Sequence, residues 1–147
     1  MVIATEIFVL LYIFAMYIAI AFWEANMEGE FGWAARQCGW AVDFKVWKLT
    51  AYHFWLWLVT VPMFLALPFI IFGFQKSLVG VVLAGYFFGA VIEDFTWFFV
   101  NPQVPFHKFN SKYVTWYPWL KMGKSFEVPA FYVLYLVIGS ILWIFLV

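Results

Sequence analysis

The sequence predicts an all-α, polytopic membrane protein: a single integral membrane domain over residues 1–147 with four transmembrane helices and two long, aromatic-rich interfacial loops on one side. Three observations predict it. First, the 147 residues are 67% hydrophobic and only 11% charged, with a mean hydropathy of +0.95. A water-soluble domain of this size is mostly surface and cannot bury so much apolar area. Second, four continuous apolar runs match the about 20 residues that cross a bilayer. Continuous rather than alternating runs speak against a transmembrane barrel. Third, Phe 20, Trp 10 and Tyr 8 make 26% aromatics, and Trp and Tyr favour the headgroup region.

The elements follow in order. The first run extends from about Val2 to Trp23. It has no basic start and is longer than a signal peptide's apolar core, so a retained span is expected. The loop 24–48 carries Glu28-Gly29-Glu30-Phe31-Gly32-Trp33-Ala34, in which two glycines bracket a turn. The aromatics from Trp33 to Trp47 are expected to form a short helix on the membrane surface. The second run, about Leu49 to Gly73, contains Pro62 and Pro68, which remove backbone donors and are expected to kink it. Gly73-Phe74-Gln75-Lys76-Ser77 is so short that the third run, about Leu78 to Val100, must return antiparallel. The loop 101–127 holds Pro102, Pro105 and Pro118 among its aromatics and is expected to be irregular. The fourth run is about Val128 to Val147.

Charge sets orientation and excludes some functions. Arg36, Lys45, Lys48, Lys108, Lys112, Lys121 and Lys124 lie on the two long loops, and only Lys76 lies on the other side. The positive-inside rule therefore places loops 24–48 and 101–127 in the cytoplasm and both termini outside. A net charge of zero gives no case for nucleic-acid binding. The single Cys38 excludes an internal disulfide and a cysteine metal cluster.

Glu93 and Asp94 sit inside the third run. A charge at the bilayer centre costs roughly 2.5–3.5 kcal/mol on insertion scales, so such residues face the protein interior and have partners. The four-span topology brings Glu24, Glu28, His53, Glu93, Asp94 and Asn101 to one leaflet, while Glu6 lies near the other. Gly85, Gly89, Glu93 and Trp97 recur every four residues and form one helix stripe. Its small residues permit close helix packing, within the chain or between copies. The stripe carries Glu93 into that contact, while Asp94 points about 100° away. A structural role would bond each acid to a tryptophan N–H, a tyrosine hydroxyl, His53 or a lysine. A functional role would make them a proton relay, an acid/base pair or part of a metal site. His53, Glu93 and Asp94 are ligand types found at iron and manganese centres. The paired Glu-x-x-His motifs of di-iron bundles are missing, and no metal is assigned.

Taken together, Trp23-Glu24, the segment Glu28 to Ala34, Thr50-Ala51-Tyr52-His53 and Glu93-Asp94-Phe95-Thr96-Trp97-Phe98-Phe99-Val100-Asn101-Pro102 resemble a family of small prokaryotic four-span integral membrane proteins. The resemblance covers about two-thirds of the chain, and E-D-F-x-W-F-x-x-N-P is its most specific part. It implies the cytoplasmic membrane of a prokaryote. That family has no assigned activity, so no catalytic role carries over. Its third loop is richer in histidine than Tyr113 to Trp119 here, which weighs against a metal on this loop.

Two functional readings follow. In the first, the chain is an accessory, non-catalytic subunit of a larger membrane-embedded complex, with lipids and other integral membrane subunits as partners. An oxidoreductase such as a copper membrane monooxygenase is one such host, by fold-class analogy alone. In the second, it is a stand-alone membrane enzyme or carrier. Glu24, Glu28, His53, Glu93 and Asp94 then line a cytoplasm-facing pocket, and a hydrophobic substrate enters from the lipid. That reading needs a concave site of several hundred Å3. The sequence requires no cofactor, and bound lipids are expected.

Overall fold

A computed structural model describes residues 2–32, 39–45, 48–123 and 126–147. Helix α1 (Val2–Glu28) continues one turn past the expected end at Trp23. It stops at Gly29, whose φ of 61° is the left-handed backbone that closes many helices. Strands β1 (Ala41–Asp43) and β2 (Lys48–Thr50) then pair antiparallel, with Val42 opposite Leu49. Of the surface helix expected from Trp33 to Trp47, residues 33–38 and 46–47 lie outside the described residues. The remainder is corrected, because Ala41–Asp43 is extended and hydrogen-bonded to a neighbouring strand.

Thr50 ends β2 and caps the next helix, its hydroxyl accepting the His53 N–H at 3.3 Å. The helical rod Ala51–Phe72 has three parts: α2 (Ala51–His53), a π-helical segment (Phe54–Thr60) and α3 (Val61–Phe72). The interruption expected at Pro62 takes this π form. Val61 donates to the Leu56 carbonyl, five residues back. The next donor in that register would be Pro62, which has no N–H, so the Trp57 carbonyl is left over. The Tyr86 hydroxyl takes it at 3.3 Å.

The chain reverses at Gly73, with φ 75°, into α4 (Lys76–Val100). The expected irregular third loop is corrected. It contains a 3-10 turn, Phe106–Lys108, and an antiparallel pair of β3 (Trp119–Met122) and β4 (Phe126–Pro129), with Leu120 opposite Val128. Because Val128 and Pro129 pair with β3, the last helix, α5 (Ala130–Leu146), starts two residues later than expected.

Helix α4 is the axis of the fold, with α1 packed along one side and α5 along the other. Glycines permit both contacts. A Cβ on Gly85 would lie 2.9 Å from Ile13 of α1, and one on Gly89 would strike the Tyr17 ring. Across the other seam, a Cβ on Gly139 of α5 would come within 2.6 Å of Phe88. The Gly85–Gly89 step is therefore occupied by a helix of the same chain. The core joins Val9, Ile13 and Tyr17 to Leu56, Val61 and Leu65 of the rod and to Leu78, Val81 and Val82 of α4.

The chain is thus mainly helical with two small sheets, rather than all-α. Three helices, Ala4–Glu28, Ala51–Phe72 and Lys76–Val100, are long and apolar enough to cross a membrane. Helix α5 is equally apolar but, at 17 residues, shorter. Outward-facing side chains are large and apolar, Ile70 and Ile144 among them, as a lipid-facing surface requires.

Candidate functional site

The end of α1, the start of the Ala51–Phe72 rod, the end of α4 and the start of α5 meet at one end of the molecule. Between them lies a cavity of about 500 Å3. Glu24, Glu28, His53, Glu93 and Asp94 all line it, together with Trp57, Tyr86, Trp97, Trp116, Tyr117 and Tyr135. The five ionisable residues come from three separate elements, α1, α2 and α4.

Glu24 is buried on α1 and accepts the Tyr52 hydroxyl at 2.8 Å. Its carboxyl group also meets that of Glu93 within hydrogen-bonding reach. Glu93 is 4% exposed, and its Oε1 is buried without a partner among the described residues. A buried polar atom left unpaired costs about 1–3 kcal/mol, so it calls for a specific explanation. The Trp97 Nε1, one helical turn further along the same stripe, is likewise buried and unpartnered among the described residues.

Asp94 differs. One of its oxygens accepts from the Tyr117 hydroxyl in the third loop, and the other from the Tyr132 hydroxyl on α5. Burial, and then the neighbouring Asp94 carboxylate, hold the Tyr117 phenol well above its ordinary range, so it remains a donor at neutral pH. Asp94 therefore joins α4, the third loop and α5 at a single carboxylate.

The His53 ring engages Thr50 through Nδ1 at 2.7 Å, inside the cap that starts α2. His53, Glu93 and Asp94 do not converge as metal ligands. Among the described residues, no three His, Cys, Asp or Glu side chains are placed to hold a metal ion. Both Asp94 oxygens and the His53 Nδ1 are already engaged. Asn101 is 3% exposed but does not line the cavity. Its Nδ2 donates to the Gly29 carbonyl at 2.6 Å, and its Oδ1 accepts from the backbone N–H groups of Gln103 and Val104. It ties the loop that follows α4 to the end of α1.

Three tyrosines that complete the site, Tyr52, Tyr117 and Tyr132, escape a sequence reading focused on charge. Tyr117 sits among Trp116, Pro118 and Trp119, where an interfacial aromatic is the ordinary expectation. Tyr132 carried a usable signal, as a hydroxyl near the start of an apolar helix entering on the side of the acids.

In comparisons with known proteins, no family model, no curated protein and no solved structure matches the chain.

Proposed function

We propose that this chain is a stand-alone membrane carrier or enzyme, working through the carboxylate-lined cavity on a hydrophobic small molecule drawn from the bilayer. The observation that carries this reading is the Glu93 Oε1, buried and unpartnered in the wall of a cavity of about 500 Å3. Cavities of about 300–1,000 Å3 take small ligands. Glu24 and Glu93 line that cavity together and give the site carboxyl groups with which a bound ligand can exchange a proton. The accessory-subunit reading draws on the aromatic excess, the Gly85–Gly89 step and the lateral apolar surface; α1 of the same chain occupies that step, and acyl chains cover such a surface as readily as protein does.

In this reading α5 is the fourth span. Its 17 residues rise about 26 Å, against about 30 Å of hydrocarbon, and the extended Val128–Pro129 step ahead of it, past Glu127, supplies the difference. The cavity and both long loops face the cytoplasm of a prokaryote, and both termini face outward.

Native mass spectrometry after mild detergent extraction from the host membrane tests the reading. A small-molecule adduct, distinct from bulk lipid, is expected on the wild type and absent from Glu93→Gln. A defined heteromeric mass with no adduct would overturn it in favour of an accessory subunit.

A further inference from the structure

We propose that the cavity takes an organic cation bearing apolar surface, its charge held by Glu93 against an aromatic wall. This rests on the binding reading above and names the ligand class. The first argument is charge. The wall carries four carboxyl groups, Glu24, Glu28, Glu93 and Asp94, and among the described residues no lysine or arginine lines it. Tyrosines satisfy Asp94. Glu93 is more than nine-tenths buried in the wall, and among the described residues its Oε1 has no hydrogen-bond partner.

The second argument is the remaining lining. Trp57, Trp97 and Trp116 line the same space. Tryptophan faces attract a weakly hydrated organic cation, most strongly where water is excluded. Those faces repel an anion, and the indole N–H groups of Trp97 and Trp116, buried without partners among the described residues, are left for an acceptor atom on the same ligand. A compact inorganic cation would instead need several oxygen ligands around one point, and among the described residues no metal-holding group of three exists.

The third argument is access. Leu58 of the π-helical segment and Leu134 of α5 both line the cavity, and each is 54% exposed on the apolar exterior. The cavity rim is therefore continuous with the surface that faces lipid. A ligand with apolar groups reaches Glu93 from the bilayer without crossing an aqueous vestibule.

Three probes of one shape class separate the outcomes: tetraphenylphosphonium, tetraphenylborate and the neutral triphenylmethane. Saturable binding is measured by equilibrium dialysis, as the difference between loaded and empty phosphatidylcholine nanodiscs. The phosphonium is expected to bind at least tenfold more tightly than the other two. Glu93→Gln should weaken it at least tenfold, and Glu28→Gln, at a half-buried position, more modestly. Glu28 lies beyond the Ile13 and Tyr17 contacts with the Gly85–Gly89 step, so Glu28→Gln keeps the test decisive if Glu93→Gln is not monodisperse. Equal binding of borate or triphenylmethane overturns the charge assignment and leaves the cavity reading standing. No saturable binding of any probe overturns both. Adding phosphatidylethanolamine identifies the natural source: competition marks an amino headgroup of a lipid, and its absence marks a free lipophilic cation.

Discussion

Glu93 and Asp94 are neighbours on α4, yet they enter two seams built on opposite principles. In the α4–α5 seam, each Asp94 oxygen receives a tyrosine hydroxyl, and rings close around it, with Tyr117 against Phe131 at 5.0 Å and Phe109 against Tyr132 at 6.1 Å. In the α1–α4 seam, Glu93 faces another carboxyl group, with one oxygen unpaired among the described residues. One step of about 100° around a helix separates an acid that anchors from an acid that stays available. Chemical identity and position along α4 are nearly equal for the two. What differs is which helix supplies the facing side chains.

Substitutions test this contrast, beginning with the largest expected effect. Asp94→Ala strands two buried tyrosine hydroxyls, each costing about 1–3 kcal/mol, and should lower stability by several kcal/mol in a detergent unfolding titration. A variant as stable as wild type would erase the distinction between the seams. Gly89→Leu drives a side chain into the Tyr17 ring and should cost about 1–3 kcal/mol by overpacking. Its thermal midpoint should fall while the tyrosine contacts to Asp94 persist. Glu93→Gln should stay within about 1 kcal/mol of wild type in the same titration, because the introduced amide can donate to Glu24. A large loss there would assign Glu93 the anchoring role as well. Tyr86→Phe frees the Trp57 carbonyl and should cost about 1 kcal/mol, read most sensitively as faster amide exchange near Val61.

The smallest effect concerns the third loop, outside both seams. The Glu127 carboxylate accepts the Ser111 N–H at 2.7 Å, and that bond holds it below the usual glutamate range. A depressed native value adds stability above the ordinary glutamate range and loses it as pH falls through the native value. The Ser111 amide resonance should therefore move only at acid pH, and Glu127→Gln should abolish that movement.

Much of the helical layout was legible from hydropathy, because the bilayer imposes a length and an apolar composition that survive without an alignment. The gathering of Glu24, Glu28, His53, Glu93 and Asp94 was legible too, since span order alone puts them at one end. Their partners were not. Whether Glu93 meets a tyrosine or Glu24 depends on how α1 rotates against the Gly85–Gly89 stripe, and periodicity leaves that rotation open. The strands hid for a related reason. Trp119–Met122 and Phe126–Pro129 are short and aromatic beside Pro118, which reads equally well as an interfacial loop. The π form of Phe54–Thr60 leaves no sequence mark beyond Pro62, which predicts an interruption but not its register.

That interruption has a mechanical consequence. A regular helix is stiff because each rung of its ladder loads the next. In the Ala51–Phe72 rod the rung at Trp57 is replaced by a bond to Tyr86 on another helix. Load placed on Val61–Phe72 passes partly sideways into α4, the element that carries Glu93, instead of running straight down to Thr50. The outer half of the rod is thereby coupled through one hydroxyl to the helix that carries Glu93.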